Sequence, residues 1–391
     1  MGIFLVNIIY GTNQEKCNSK QGIEKKNLNL NQIPNPHFKN QITIAKNHQI
    51  SHGYCGELLP CYEIYTLNNE TSSLYIAFKN LDKFIEILKY NFKDLVKITT
   101  ININPQKIKY FNDEIHNKEY LIIQTLKEIY IFLIISENIY KKIFIYQEKG
   151  IISSGFSGCY KGILPINDFH IFRDIYNDIN YLIISFFYRT DCSSHSKKIS
   201  ILKLEKYNCI KVKEVESIDS EITSKKLFLI WEDKSSKLYN LIYNLYNDLI
   251  FLEINDLEKE NKDKTTINGI IEIFKNYIGC IISDKNKKDY LYLIESNCGL
   301  LTIVDLKIKQ KIKAFYTIKD IESIINWNNK YIIFSTKKFI YTFDTFYNKI
   351  INKKSFNLDR TIISISKFIY EEQTLFSLVF NCSDKSIIII Y

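Results

Sequence analysis

The chain has few residues that break or loosen a backbone and no long apolar run. Its 391 residues include 12 Gly, 5 Pro and a single Met. The longest apolar stretch, Ile129–Ile135, has the length of one strand and falls short of the roughly 18 residues that a membrane span requires. The amino-terminal MGIFLVNIIYG lacks a basic segment and a cleavage site, and Val6 stands where myristoylation requires Ser or Thr. We therefore expect neither a signal peptide nor a lipid anchor.

Motifs for catalysis and for nucleotide binding are also missing. The sequence contains no P-loop and no dinucleotide fingerprint. The nearest approach to a nucleophile elbow, Gly155-Phe156-Ser157-Gly158-Cys159, lacks the final glycine. The six histidines are scattered and suggest no acid–base pair: His37, His48, His52, His116, His170 and His195. The sequence therefore predicts a protein that is not an enzyme, with no catalytic residue and no cofactor.

The nine cysteines show no regular spacing. An odd number without a dense pattern predicts reduced thiols and an intracellular protein of the cytoplasm or nucleus. Four potential zinc ligands do occur within fourteen residues, namely His48, His52, Cys55 and Cys61. Their last spacing is longer than in a usual zinc knuckle, and the segment is also typical of a loop that contains Gly and Pro. Ordinary loop residues are the favoured interpretation, and zinc binding is left open.

Aromatic residues are abundant, with 28 Tyr and 25 Phe, and Ile, Asn and Lys are in evident excess. β-Branched and aromatic side chains fit the pleated surface of a strand, so this composition favours β structure. The same residues have A+T-rich codons, and their excess resembles that of A+T-rich protist or apicomplexan genomes. Periodicity is therefore a better guide to the fold than composition.

The formal charge of +9 comes from lysine pairs that are spread along the chain. A nucleic-acid footprint would concentrate basic residues on one element or stripe, whereas most of these pairs stand where predicted strands meet turns. Nucleic-acid binding is therefore not expected. The pairs are Lys141-Lys142, Lys197-Lys198, Lys225-Lys226, Lys287-Lys288, Lys337-Lys338 and Lys353-Lys354.

The pattern of residues changes along the chain. Residues 1–10 resemble a strand, and residues 11–61 are polar and irregular, as in a loop or linker. From residue 62 to residue 391, apolar runs of five to eight residues alternate with Asn, Asp, Lys and Ser. Such runs predict short strands and turns with no long amphipathic helix, and hence an all-β fold.

One segment, Ser296–Phe315, resembles the signature segment of a WD40 repeat. It combines Gly299 with the alternating residues Leu301 and Ile303 and with Val304-Asp305, where Val304 takes the place of the usual Trp. The resemblance implies that Val304 lies in the third strand of a propeller blade. Similar third-strand patterns occur at Leu88, Phe132, Leu202, Ile242, Phe343 and Ile390.

The spacing of these seven positions supports a repeat. Successive intervals are 44, 70, 40, 62, 39 and 47 residues, and four of them lie near the WD40 period of about 40 to 45. The two long intervals contain insertions at about 150–168 and 255–266. The sequence thus predicts a seven-bladed, WD40-like β-propeller. Because the Gly-His and Trp-Asp dipeptides are absent, a six- or eight-bladed ring and two β domains remain as alternatives.

Ring closure requires one more strand, because the chain stops at Tyr391 after a predicted third strand. The resemblance implies that an amino-terminal strand completes the last blade, and we assign this role to Ile3–Tyr10.

Propellers bind partners through the loops of a ring face and through the mouth of the central channel. The resemblance therefore implies a non-catalytic interaction scaffold or adaptor subunit of a larger complex, which binds other proteins and has the two insertions as candidate contacts. The alternative is a propeller-based enzyme, which a buried cluster of perturbed carboxylates or histidines at the channel mouth would favour.

A phosphoinositide-binding or membrane-recruited propeller is a further alternative. Propellers of that kind carry a Phe-Arg-Arg-Gly or Leu-Arg-Arg-Gly signature, whereas this chain has Phe172-Arg173-Asp174, in which an acid replaces the second arginine. Peripheral membrane binding is therefore not expected.

Overall fold

The computed structural model describes fourteen segments of the chain. They are residues 40–45, 62–65, 74–79, 85–90, 95–153, 159–189, 195–219, 227–245, 248–254, 264–267, 277–356, 361–370, 373–381 and 385–391. These segments contain thirty β-strands and no helix, so the prediction of an all-β fold is confirmed.

Twenty-eight strands form seven antiparallel four-stranded sheets, and two more form a separate hairpin. Blade 1 comprises β2 (Tyr62–Tyr65), β3 (Leu74–Lys79), β4 (Ile85–Tyr90) and β5 (Leu95–Ile101); blade 2 comprises β6 (Lys107–Asp113), β7 (Lys118–Gln124), β8 (Ile129–Ser136) and β9 (Ile139–Tyr146); the hairpin is β10 (Lys149–Ser153) and β11 (Cys159–Ile163). Blade 3 comprises β12 (Ile166–Asp174), β13 (Ile179–Arg189), β14 (His195–Leu204) and β15 (Cys209–Asp219); blade 4 comprises β16 (Phe228–Asp233), β17 (Leu238–Leu245), β18 (Asp248–Glu253) and β19 (Lys264–Ile267). Blade 5 comprises β20 (Tyr277–Ser283), β21 (Asp289–Glu295), β22 (Leu300–Asp305) and β23 (Gln310–Tyr316); blade 6 comprises β24 (Ser323–Asn326), β25 (Tyr331–Ser335), β26 (Phe339–Asp344) and β27 (Lys349–Ser355); blade 7 comprises β28 (Thr361–Tyr370), β29 (Gln373–Asn381), β30 (Lys385–Ile390) and β1 (Asn40–Ala45).

The second and third strands of each blade are buried on both faces, because neighbouring blades pack against each other. In β7 the run from Tyr120 to Gln124 is buried without interruption. The core between blades 5 and 6 contains Leu301 and Ile303 of β22 together with Phe334 and Phe343 of blade 6. Burial on both faces explains the continuous apolar runs, since a strand with one wet face would alternate. First strands of successive blades contact one another, which makes the chain a seven-bladed β-propeller.

Six of the seven aligned positions lie in third strands, as predicted. Five of them, Leu88, Phe132, Leu202, Val304 and Phe343, directly follow a register shift between the third and fourth strands. A shift of this kind is a β-bulge, which bends the outer strand and increases its twist. The recurring pattern therefore corresponds to a recurring backbone irregularity.

The assignment of Ile242 is wrong. Ile242 lies in β17, the second strand of blade 4, and the third strand is β18. Both strands are apolar runs buried on two faces, so their residue patterns look alike. Because Ile242 lies 40 residues after Leu202, close to the WD40 period, the alignment placed the third-strand pattern on the second strand.

The last blade is closed by an amino-terminal strand, but by a different one from that predicted. Strand β1 pairs with β30 from Asn40 opposite Ile390 to Ala45 opposite Lys385. Ile3–Tyr10, to which this role was assigned, lies outside the described residues. The sequence NQITIA of β1 alternates polar and apolar residues, and its backbone satisfies the otherwise open edge of β30. The predicted linker over 11–61 is thus interrupted by a strand of the last blade.

The two predicted insertions depart from opposite ends of the blades. The segment 150–168 contains most of the β10–β11 hairpin, which follows the fourth strand of blade 2 and precedes the first strand of blade 3. The segment 255–266 connects the third and fourth strands of blade 4, and residues 255–263 lie outside the described part of the chain. One flat face of the ring therefore cannot present both insertions.

Candidate functional site

The turns between first and second strands and those between third and fourth strands lie at one end of the blades, which we call the turn face. Several turns on it begin with an aspartate that accepts hydrogen bonds from the turn backbone. Asp174 Oδ1 accepts from the N–H groups of Tyr176 at 2.9 Å and Asn177 at 3.2 Å. Asp344 Oδ1 accepts from those of Phe346 at 2.9 Å and Tyr347 at 3.0 Å. Such bonds stabilise the turn, and in blade 3 the Asn177 side chain adds a bond from Nδ2 to Asp174 Oδ2 at 2.8 Å.

These turns share a five-residue pattern that the repeat alignment did not use. The fourth residue after the aspartate has a positive φ, as in Asn117 after Asp113 (φ 48°) and Lys309 after Asp305 (φ 53°). Asn, Asp and Gly tolerate this left-handed conformation best, and Lys adopts it here at a small cost. The pattern begins at Asp113, Asp174, Asp233, Asp305 and Asp344. A search for Asp-x-x-x-Asn/Asp/Lys would have located five turns on this face.

Large apolar side chains are exposed at the turn tips. Phe346 is 73% exposed, and its ring contacts only that of Tyr347 among the ring pairs of the described residues, at 5.0 Å. On the turn face the exposed set is Ile135, Ile175, Tyr207, Ile308, Phe346 and Tyr347. Fourth strands expose Val96, Ile139, Ile145, Ile210, Ile312 and Tyr316, and the opposite end exposes Leu126, Ile151 and Tyr160. Clustered exposed apolar residues mark interaction surfaces.

Charge is distributed unevenly over the turn face. In blade 5, Lys285, Lys287, Lys288 and Lys307 are all exposed. The nearest aspartates there are engaged with backbone N–H groups: Asp284 Oδ1 accepts from Lys288 N at 2.9 Å, for example. The turn face of blades 5 and 6 is therefore basic as well as apolar.

Blades 2 and 3 carry a different balance. Arg173, the residue of the Phe-Arg-Asp string, donates to Asp178 Oδ1 at 2.8 Å and also to Glu114. These contacts raise the pKa of the Arg173 guanidinium, chiefly through the hydrogen bond to Asp178. Asp174 is fully buried as the cap of its turn. The positive charge of Arg173 is thus already paired with carboxylates of the same chain, which argues against binding of a lipid phosphate at this position.

Among the residues that the structure describes, His170 is a histidine with a perturbed pKa, and it lies in the first strand of blade 3. His170 of β12 packs its ring 5.1 Å from that of Phe228. Burial, reinforced by the charge of Lys107, lowers its pKa to about 4, so the imidazole is neutral at pH 7. The neighbouring Asp168 is paired with Lys107, whose Nζ lies 2.5 Å from Asp168 Oδ1. A neutral imidazole beside a closed ion pair is not an acid–base pair.

An ionic cluster joins Glu148, in the link between β9 and the hairpin, to blade 3. Lys198 Nζ lies 2.9 Å from Glu148 Oε1 and 2.7 Å from Glu214 Oε1, and Lys211 bridges the same two carboxylates. Hydrogen bonds from Tyr146, Lys198 and Lys211 outweigh burial and lower the pKa of the Glu148 carboxyl. The side chains of Lys198 and Glu148 are each 10% exposed. The cluster is saturated with partners and is therefore structural.

The remaining predicted candidates are mostly outside what the structure describes. His48, His52, Cys55 and Cys61 all fall there, and so does Ser157. Within the described segments no three His, Cys, Asp or Glu side chains are grouped as a metal site. In those same segments no helix is long and apolar enough to cross a membrane.

Solved structures with the same architecture define the class to which the fold belongs. One is BBS1N in complex with ARL6DN, with a TM-score of 0.59, 11% identity, and coverage of 90% of this chain and 96% of that one. Sqt1 of Saccharomyces cerevisiae has a TM-score of 0.52 at 10% identity over 83% of this chain and 94% of its own. Dihydro-heme d1 dehydrogenase NirN, in complex with DHE, has a TM-score of 0.53 at 8% identity over 84% of this chain and 65% of its own.

At such identities the likeness shows the β-propeller fold alone. No protein-family model and no curated protein sequence matches the chain. Because one neighbour is a dehydrogenase by its description, the fold does not decide between catalysis and binding.

Proposed function

We propose that this propeller is a non-catalytic interaction scaffold that binds an acidic segment of a partner protein on the turn face of blades 5 and 6. The observation that carries the proposal is the combination of Ile308, Phe346 and Tyr347 with the exposed lysines of blade 5. Aromatic and aliphatic anchors provide most of the binding energy at interfaces, and surrounding charges select and steer the partner.

The turns that carry these residues are stabilised by hydrogen bonds to neighbouring backbone carbonyls. The exposed side chains are therefore presented on a preformed surface. Thr345 Oγ1 donates to Lys330 O at 2.8 Å, and Asn326 Nδ2 donates to Ile281 O at 2.9 Å, which ties blade 6 to blade 5. Phe346 and Tyr347 donate their backbone N–H groups to Asp344, their rings contact each other, and Lys349 Nζ lies 5.3 Å from the centroid of the Tyr347 ring. A preformed surface of this kind loses little conformational entropy on binding.

The scaffold function is supported by a neighbour of the same fold, since BBS1N is described in complex with ARL6DN. The complex itself, the subunit role and the identity of a partner are part of the proposal.

Affinity purification of the tagged full-length chain from its own cells, at moderate salt and after nuclease treatment, tests the proposal. We expect stoichiometric proteins, identified by mass spectrometry, that are retained by the wild type and lost by the double variant Phe346→Ser/Tyr347→Ser. The matched control Ile312→Ser/Tyr316→Ser removes two equally exposed apolar side chains from a fourth strand and should retain them. Charge reversal by Lys285→Glu/Lys287→Glu should weaken the same association.

Three outcomes would overturn the proposal. They are a folded monomer with no stoichiometric partner, equal loss in both double variants, and an association that nuclease abolishes.

A further inference from the structure

The outer strands of blades 5 and 6 are rich in lysine and contain no carboxylate. Residues 306–319 include five Lys and residues 345–358 include three, and neither stretch has an Asp or a Glu. The two stretches are distant in sequence, but blades 5 and 6 are neighbours in the ring, so folding brings them to one part of its circumference. The lysines of the strands themselves are Lys311 and Lys313 of β23 and Lys349, Lys353 and Lys354 of β27.

Two of these lysines line the groove between the two blades from opposite sides. Lys353 stands opposite Tyr341 in register, and its Nζ lies 4.0 Å from the centroid of the Phe339 ring and 5.6 Å from that of Tyr341. Lys313 Nζ lies 5.2 Å from the centroid of the Phe315 ring. All three rings belong to or pack against the core between blades 5 and 6. Because both lysines are exposed, their ammonium groups lie at the outer opening of this groove, which we call the basic groove.

The carboxylates of blades 5 and 6 lie at the two ends of the blades, away from the middle of the outer strands. They are Asp284, Asp289, Asp305 and Asp344 at the turn face and Glu295, Asp320 and Glu322 at the opposite end. Within the basic groove the lysines stand beside aromatic rings, and an exposed ring attracts a cation only weakly. The positive charge of the groove therefore remains for an anion.

The groove between blades 1 and 2 shows the alternative. Lys142 of β9 also stands over a ring, that of Tyr130, at 5.9 Å. There, however, the Tyr130 hydroxyl donates to the carboxylate of Glu128, and Glu137 pairs with Lys89 at 2.8 Å. Carboxylates of this kind repel a polyanion, and the basic groove has none among its lysines.

We infer that the basic groove binds the backbone of a single-stranded nucleic acid. Proteins that hold single strands combine a positively charged groove along the backbone with aromatic side chains on which bases stack. The half-buried Phe339 ring beside Lys353 favours a nucleic acid over an acidic peptide, because a base can stack on a ring and a carboxylate cannot. The inference goes beyond the proposed function, whose anchors Phe346 and Tyr347 lie on the turn face.

Fluorescence anisotropy of the full chain with a labelled oligouridine RNA of about ten nucleotides is the test. We expect the affinity to fall as the salt concentration rises from about 50 to 200 mM. In Lys313→Gln/Lys353→Gln the slope of log affinity against log salt should become shallower by about 1.4, because each phosphate contact of a single strand contributes about 0.7. Lys313→Arg/Lys353→Arg keeps both charges and should keep the slope.

Lys141→Gln/Lys142→Gln is the matched control, since it removes the same charge from two exposed residues of an outer strand. It should leave the slope unchanged. The melting temperature of all three double variants should stay level, because every replaced side chain is exposed. A glutamate peptide of about the same charge as the RNA should not compete for the groove.

Failure of the RNA to bind would overturn the inference. So would an equal change of slope in the two glutamine variants, since net charge alone would then explain binding, or equal competition by the glutamate peptide. Partner capture through Phe346 and Tyr347 is measured after nuclease treatment, so either proposal can fail while the other stands.

Discussion

Blades 5 and 6 and the boundary between blades 2 and 3 represent two ways of building the same ring. In blades 5 and 6 the third and fourth strands are joined by short turns capped by Asp305 and Asp344. At the boundary of blades 2 and 3 a hairpin intervenes, and an ionic cluster centred on Glu148 and Lys198 connects its base to blade 3. Blades 2 and 3 have aspartate caps as well, at Asp113 and Asp174, and they add an ionic cluster between residues distant in sequence.

The difference has consequences for function. Where local turns are self-supporting, their tips are free to carry exposed apolar residues such as Phe346. The boundary of blades 2 and 3 also exposes apolar residues at its turn tips, Ile175 and Tyr207, but it adds a buried pair between residues distant in sequence, Glu148 and Lys198.

The largest expected effect on the free energy of unfolding comes from breaking the ionic cluster. Glu148→Leu leaves Lys198 and Lys211 sharing Glu214 alone, and removal of one member of a buried ion pair is strongly destabilising. We expect the free energy of unfolding, measured by denaturant titration, to fall by about 3 kcal/mol.

Two further variants sharpen that result. Glu148→Leu/Lys198→Met should recover more than half of the loss, because the charge left without its main partner is also removed. Glu114→Leu breaks an exposed contact to Arg173, which solvent screens, and should cost far less than Glu148→Leu. Equal effects of Glu148→Leu and Glu114→Leu would contradict the structural role of the cluster.

A smaller effect concerns pH and His170. The ordinary pKa of the imidazole is 6.5 and burial lowers it to about 4 in the folded chain, so between these values only the unfolded chain takes up the proton. Stability therefore falls as the pH drops from about 6.5 toward 4. His170→Asn should remove this contribution, which denaturant titrations at pH 7 and pH 5 would reveal. An identical loss in the variant and the wild type would contradict the assignment.

A still smaller effect is expected from removing an aspartate cap, compared with the same change in a turn that has none. Asp344→Ala removes two hydrogen bonds to backbone N–H groups and should cost about 1 to 2 kcal/mol. The corresponding turn of blade 3 begins with Glu205, which contributes backbone groups only to its bond with Asn208. Glu205→Ala should change stability by less than about 0.5 kcal/mol. Comparable losses, measured by thermal unfolding, would show that the caps do not distinguish these regions.

The smallest expected effect is on the stability of the proposed binding surface. Phe346→Ser/Tyr347→Ser should change the free energy of unfolding by less than about 0.5 kcal/mol, because both side chains are exposed. Partner capture should nevertheless be lost. A large fall in stability would indicate that the two rings support the turn and are not kept for binding.

Much of the fold was predictable because propeller blades repeat a local pattern. The apolar run, the bulge after the third strand and the following turn recur in blades 5 and 6 near Val304 and Phe343, and the period follows from them. Prediction failed at Ile242, since a second strand buried on two faces has the same residue pattern as a third strand. The candidate site was less predictable, because Phe346 and Tyr347 of blade 6 and the exposed lysines of blade 5 share a surface only once the two blades pack together.

The sequence by itself determined the strand-rich composition and the repeat that predicted seven blades, because these depend on residues close together in the chain. Only the tertiary structure decided that Asn40–Ala45 closes the ring and that the two insertions leave opposite ends of the blades. Those features depend on which open edge and which neighbouring blade a segment meets, and contacts between distant residues leave no fixed spacing in a single sequence.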